Sequence, residues 1–193
     1  MSTLEVNKIT PQGVATEVTL GDSGDTFTIP SGVTLTNNGT VTGIGGVNTP
    51  AFRAERGSPA QTISNATYTK VEFNDENFDT DNCYDNTTNY RFTPNVAGKY
   101  FVYAQICSYG GATDALKEVN PAIRRNGSNV SRSSISFVSA TDYFHVATSY
   151  LSVVVDMNGT TDYVEVFQYA DATSTPNVQG GGFTYFGGYK IIE

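Results

Sequence analysis

The chain has 193 residues, 38% of them hydrophobic, and its 11 basic and 19 acidic side chains leave a net charge of −8. That length supports a hydrophobic core in one or two domains. The charge balance excludes the basic footprint that nucleic-acid binding needs, and no run approaches the ~20 apolar residues of a membrane helix, so neither nucleic acid nor membrane insertion is expected.

Taken in order, residues 1–10 (Met-Ser-Thr-Leu-Glu-Val-Asn-Lys-Ile-Thr) lack the apolar stretch of a signal peptide, so synthesis and folding in a cytoplasm are expected. Of the 23 Phe and Tyr residues, only Phe27 precedes residue 50. Large aromatics dominate core energetics, which places the core-forming domain at residues 50–193. Residues 1–49 instead carry a loose repeat. Short alternating pieces (Val18-Thr-Leu20, Phe27-Thr-Ile29, Val33-Thr-Leu35, Val41-Thr) are separated by turns at Gly21-Asp-Ser-Gly24, Pro30-Ser-Gly32 and Asn37-Asn-Gly39. Such strands expose too much backbone and apolar surface to stand alone, and winding three copies together would bury them. A flexible Thr/Gly linker is the alternative. The Leu20-Gly-Asp-Ser-Gly-Asp25 and Ile29-Pro-Ser-Gly32 turns resemble the amino-terminal portions of bacteriophage virion proteins.

Beyond Gly45-Gly-Val-Asn-Thr-Pro50 the pattern predicts about ten short strands and hardly any helix. They are Ala51–Glu55, Thr62–Ser64, Thr67–Phe73, Asn89–Phe92, Lys99–Ser108, Pro121–Arg125, Asn129–Val138, Phe144–Asp156, Thr161–Tyr169 and Phe183–Ile192. Asn126-Gly127 and Asn158-Gly159 each sit between apolar runs and predict tight hairpins, because Asn-Gly supplies the positive φ angles of a primed turn. Many short strands with such turns indicate an all-β sandwich or barrel. Strand pleating places Tyr100, Val102, Ala104 and Ile106 inside and Phe101, Tyr103 and Gln105 outside. It likewise places Val164 and Val166 inside and Tyr163, Phe167 and Tyr169 outside. Aromatics on an outward face point to a buried interface.

Three stretches carry a family resemblance. Gly98-Lys-Tyr-Phe-Val-Tyr-Ala-Gln-Ile106, Tyr150-Leu151 with the later Asn158-Gly-Thr-Thr-Asp-Tyr-Val164, and Tyr185-Phe-Gly187 are similar to strands of the complement C1q globular head and of the tumour necrosis factor family. The resemblance implies a jelly-roll head over residues 50–193, packed edge to face with two copies of itself about a threefold axis. Aromatic side chains line that axis in the family. The motif match assigns Tyr103, Tyr150 and Tyr185 to it, and the outward positions add Phe101, Tyr163 and Phe167. Against the family pattern the sequence has no Trp, and neither a collagen-like stem nor a membrane anchor is expected before the head.

Reactive chemistry is sparse. His145 is the one histidine, no Gly-x-Ser-x-Gly accompanies it, and zinc ligation needs several His or Cys together. Gly180-Gly-Gly182 precedes a strand, so it is a turn and no phosphate loop. Asp79, Asp81 and Asp85 lie in an acidic stretch whose oxygens suit calcium, although their spacing matches no EF-hand and a solvated loop is the plainer reading. No other cofactor is expected. Cys83 and Cys107 read as free thiols, with a bridge open to them outside a cell. The expected function is therefore non-enzymatic: a homotrimer in a bacteriophage virion, held to other virion proteins by residues 1–49. Its head would display loops 74–88, 108–120, 139–143 and 171–180, with Tyr84, Tyr109 and Tyr143, to a host-surface glycan or protein. A capsid decoration trimer that stabilises the head shell is the rival expectation.

Overall fold

The computed structural model describes residues 19, 22–39, 47–137 and 143–192. The chain divides into two compact units, Met1–Ile44 and Gly45–Glu193. In the first, the Asp25 amide donates to Asp22 O at 3.0 Å and that of Val33 to Pro30 O at 3.2 Å, closing two of the expected turns. Among its described residues no strand is paired, and Phe27, Val33 and Leu35 are exposed. Val18, Leu20 and Val41 lie outside the described residues.

Among its described residues the second unit holds 14 strands: β1 (Ala51–Glu55), β2 (Gln61–Thr62), β3 (Thr69–Lys70), β4 (Asp75–Asp79), β5 (Tyr84–Asp85), β6 (Arg91–Phe92), β7 (Ala97–Tyr109), β8 (Leu116–Arg125), β9 (Ser128–Arg132), β10 (Ile135–Ser136), β11 (Val146–Asn158), β12 (Val164–Ala172), β13 (Asn177–Val178) and β14 (Tyr185–Lys190). Among the described residues no helix forms. The count exceeds the expected ten for three reasons. The 129–138 stretch splits into β9 and β10, the acidic stretch 75–85 supplies β4 and β5, and the 171–180 loop contains β13.

These strands make two seven-stranded antiparallel sheets. In one, β7 pairs along its whole length with β11, from Ala97↔Asn158 to Tyr109↔Val146. Its other edge takes β14, followed by β1 and then β4. Past the end of β14, β13 and β2 continue that edge. In the second sheet β12 pairs with β8 on one side and with β3 and β6 on the other; β9 and β10 flank β8, and β5 flanks β6. We refer to them as the β7 sheet and the β12 sheet.

The core fills the space between them. Tyr100, Val102, Ala104 and Ile106 of β7 are fully buried, as are Val164 and Val166 of β12. Phe52 stands where the sheets meet, stacked 4.3 Å from Phe92 and 4.9 Å from Tyr84, with Phe186 edge-on at 4.8 Å.

The two Asn-Gly turns behave differently. Asn126 (φ 49°) and Gly127 (φ 78°) close the β8–β9 hairpin as expected. Asn158-Gly159 instead carries the chain from the β7 sheet to the β12 sheet, because β11 pairs with β7 and β12 with β8. The Asn158 carboxamide oxygen accepts from the amides of Thr160, Thr161 and Asp162 at 2.9–3.0 Å, which builds a longer corner than a primed turn. A Cβ on Gly159 (φ 70°) would stand 2.3 Å from the Ala97 amide nitrogen, so both conformation and space demand glycine. Asp162 fastens the corner to the hairpin, accepting from Arg125 Nη2 and Asn126 Nδ2 at 2.7 Å each. Those two hydrogen bonds, that from Asn126 foremost, hold its carboxyl below the usual carboxylate range.

Candidate interaction face

The outward positions of the β7 sheet come together as one aromatic surface. Register places Phe101 beside Tyr189, Tyr103 beside Gly187, and Gln105 beside Tyr185. On the other flank Gln105 meets Tyr150 and Phe101 meets Val154. The rings touch in sequence: Tyr189 to Phe101 at 5.6 Å, Phe101 to Tyr103 at 6.1 Å, Tyr103 to Tyr185 at 6.2 Å. The Arg53 guanidinium lies 4.8 Å from the Tyr185 ring centre and pairs with Glu55 at 2.8 Å. Tyr185 donates its hydroxyl hydrogen bond to Gln105 Oε1 at 3.2 Å, and Gln105 Nε2 donates to Phe183 O.

Gly187 lets Tyr103 lie flat. A Cβ at that position would stand 2.5 Å from the Tyr103 hydroxyl and 3.0 Å from Phe52 O. Burial pushes the Tyr103 phenol pKa up, against the lowering pull of Arg53. The patch is nonetheless open: Tyr150 is 56% exposed and Val154 51%. A soluble protein seldom leaves a contiguous aromatic and aliphatic surface of this kind uncovered. At its loop end Cys107, Tyr109, His145, Val146, Gln179 and Phe183 line a hollow of about 420 Å³.

The structure thus places Tyr103, Tyr150, Tyr185 and Phe101 on one face. It places Tyr163 and Phe167 elsewhere. Both lie on the outer side of the β12 sheet, where Arg91 covers Tyr163 at 4.3 Å and Arg124 covers Phe167 at 3.9 Å. Pleating gave their outward sense correctly but does not reveal which sheet a strand joins. Tyr189 belongs to the face and was not anticipated; the alternation Tyr185, Gly187, Tyr189 was the available signal.

The loop tyrosines separate too. Tyr84 is no display residue: it is buried in the core, its hydroxyl donates to Phe73 O at 3.0 Å, and burial raises its pKa far above the ordinary value. Tyr109 ends β7 with its ring edge-on to exposed His145, centroids 4.6 Å apart. Tyr143 is half-buried, with Lys117 Nζ 5.9 Å from its ring centre. Of the loop 139–143, residues 139–142 lie outside the described residues. Cys83 and Cys107 are free and buried, and burial raises the Cys83 thiol pKa.

Asp79, Asp81 and Asp85 do not converge on a cation site. Asp79 accepts from the Tyr84 amide at 2.6 Å, Asp81 from the Thr80 hydroxyl, and Asp85 from the amides of Thr87, Thr88 and Asn89. Their lone pairs serve local amides and the Thr80 hydroxyl, and among the described residues no three His, Cys, Asp or Glu side chains gather as metal ligands. The Thr88 amide above all, joined by Thr87 and Asn89, holds the Asp85 carboxyl well below the carboxylate range against the opposing effect of desolvation. A depressed carboxyl contributes stability above its unfolded pKa, about 3.9, and loses it as pH falls through the folded value. Asp85→Asn is therefore expected to lower the urea midpoint at neutral pH, with the gap to the parent narrowing from about pH 5 down to about pH 2. A gap independent of pH would refute that role.

Comparison with solved structures decides the fold. Eiger TNF from S. frugiperda matches with a TM-score of 0.53 at 12% identity, covering 76% of this chain and 95% of that one. Murine APRIL matches with a TM-score of 0.52 at 14% identity, covering 73% and 98%.

The head is a tumour necrosis factor-like jelly roll.

At these identities the likeness concerns the backbone. No protein-family model matches the chain, and no curated protein matches it in sequence. In this TNF-like head the aromatic face is the outer surface of the sheet built on β7, β11, β14 and β1. Among the described residues no helix is long and apolar enough to cross a membrane.

Proposed function

We propose that the chain is a non-enzymatic, homotrimeric structural protein of a bacteriophage virion, in which residues 1–49 fasten the protein to the particle and the TNF-like head is displayed for host-surface binding. What carries the trimer is the open face made by the adjoining rings of Phe101, Tyr103, Tyr185 and Tyr189, with exposed Tyr150 across Gln105, a face whose desolvation requires another surface. The motif resemblance assigns Tyr103, Tyr150 and Tyr185 to a threefold axis, and all three lie on that face. The exposed Phe27, Val33 and Leu35 of the amino-terminal unit are further apolar side chains for contact with sister chains or with other virion proteins. The virion setting is supported by the Leu20–Asp25 and Ile29–Gly32 turns and their likeness to phage structural proteins.

Sedimentation equilibrium of the full chain tests the first part: a trimer is expected, and a monomer at micromolar concentration overturns it. Gold-labelled antibody on particles from the source culture tests the second. Label on tails or protruding fibres supports attachment; label spread over the capsid replaces it with a decoration role; unlabelled particles remove the virion assignment.

A further inference from the structure

On the outer side of the β12 sheet, well away from the aromatic face, Tyr68, Asn120, Arg132, Ser133 and Ser134 line a hollow of about 350 Å³. We propose that it is a binding site for one acidic sugar residue, a carboxylate-bearing pyranose of a surface glycan; the inference rests on reading the head as a display module and supplies the class of its ligand.

Three observations converge. The first is charge. Against a net −8, this side of the molecule gathers Lys70, Arg91, Arg124 and Arg132, four of the chain's 11 basic residues. Lys70 is matched by buried Glu165 at 2.5 Å, and Arg124 donates to Asn129 Oδ1 at 3.0 Å while lying over Phe167. Arg132 is exposed at the rim of the hollow and is the cation there left to face a ligand carboxylate, to which its planar fork is matched.

The second is a fixed ring. Tyr68 is held by the Arg124 guanidinium at 5.0 Å and by Tyr169 at 5.5 Å, so it offers a pre-set flat surface to the C–H face of a pyranose. The third is an orphaned acceptor. Asn120 Nδ2 donates to Glu118 Oε1 at 2.7 Å, while the neighbouring Asp171 is paired with Lys117 at 3.5 Å, and Asn120 Oδ1 is shielded and has no partner. Such atoms are uncommon in folded proteins, and a rotation of the half-buried Asn120 side chain toward the hollow would let a ligand hydroxyl satisfy it. Ser133 and Ser134 add small hydroxyl groups suited to sugar hydroxyls.

The other hollows carry less. A wider one of about 590 Å³, lined by Thr62, Ser64, Asn65, Thr173 and Ser174 among others, has no charge, and Asn65 is already bonded in both directions to Ala172. The hollow beside Cys107 belongs to the aromatic face, which trimer formation would cover. An acidic peptide is disfavoured at the Arg132 site by its lining, which is polar apart from Tyr68 and offers no apolar side chains to seat successive residues.

The test is calorimetric titration of the full-length protein with methyl α-sialoside, methyl β-glucuronide, neutral methyl β-glucoside and a glutamate-rich peptide. At least one acidic glycoside is expected to bind in the millimolar range and the neutral one more weakly. Arg132→Gln should lower the acidic affinity about tenfold, the loss of one charge-assisted contact. Tyr68→Leu should lower affinity for both classes of sugar. Binding of neither acidic glycoside, equal binding of the neutral one, or an unchanged Arg132→Gln affinity overturns the site. Binding of the peptide alone, lost in Arg132→Gln, replaces the saccharide with a protein partner. Sedimentation of the same samples separates the two readings: a trimer that binds no acidic sugar refutes the pocket alone, and a monomer that binds refutes the trimer alone.

Discussion

In sedimentation equilibrium, Tyr103→Glu is expected to turn the full-length protein from trimer to monomer while leaving the head folded. The Tyr103 ring lies in the middle of the outward face, between Phe101 and Tyr185 and flat across Gly187. Its side chain points away from the core, so the substitution removes little from the folded monomer, and circular dichroism should be unchanged. In an assembly that covers this face, each carboxylate would be buried without a partner, because the nearby Arg53 already pairs with Glu55. An uncompensated buried charge costs about 3–5 kcal/mol. Threefold symmetry repeats the cost at each protomer, which weakens association roughly a million-fold or more. Tyr103→Phe, which keeps the ring, should remain trimeric. A Tyr103→Glu trimer would show that association uses some other surface.

The largest loss of stability is expected from Phe52→Ala. Phe52 in β1 contacts Tyr84 of β5 and Phe92 of β6 on one side and Phe186 of β14 on another, so a single ring joins both sheets. Removing it leaves a cavity among rings that strand pairing holds in place, at a cost of about 3–5 kcal/mol. Against a total of about 5–15 kcal/mol for a domain, that is a major fraction. Urea unfolding should show the midpoint falling sharply with little change in slope. A loss below about 1 kcal/mol would mean that the neighbouring rings close the gap, contrary to the close packing seen here.

Much of the head was legible in the sequence because pleating is strict. The alternation from Tyr100 to Ile106 identified the inside of β7, and with it the outward Phe101 and Tyr103. What alternation cannot convey is sheet membership. Tyr163 and Phe167 obey the same rule as Tyr103 but belong to the opposite side of the sandwich, since β12 pairs with β8 and not with β7. The Asn158-Gly159 turn hid this, because Asn-Gly marks a reversal of the chain without fixing whether the next strand pairs with the last. Asp75-Glu-Asn-Phe-Asp79 read as a loop on composition, yet it forms β4 at the edge of the β7 sheet. Edge strands tolerate charge, and charge there guards against unwanted pairing. Tyr84 followed from that misreading: in a free loop it would be displayed, whereas on β5 it enters the core.

The position of β1 has a mechanical consequence. Lys190 N donates to Pro50 O at 3.1 Å, so the chain enters β1 beside the point where β14 ends. A load applied at residue 50 along the axis of β1 would act on a strand clamped between β14 and β4. The two ladders are then strained in shear, with their hydrogen bonds sharing the force together, whereas a strand peeled from a free edge gives them up one after another. The loops 110–115, 173–176 and 180–184 lie at the opposite end of the strands and stay clear of that line of tension.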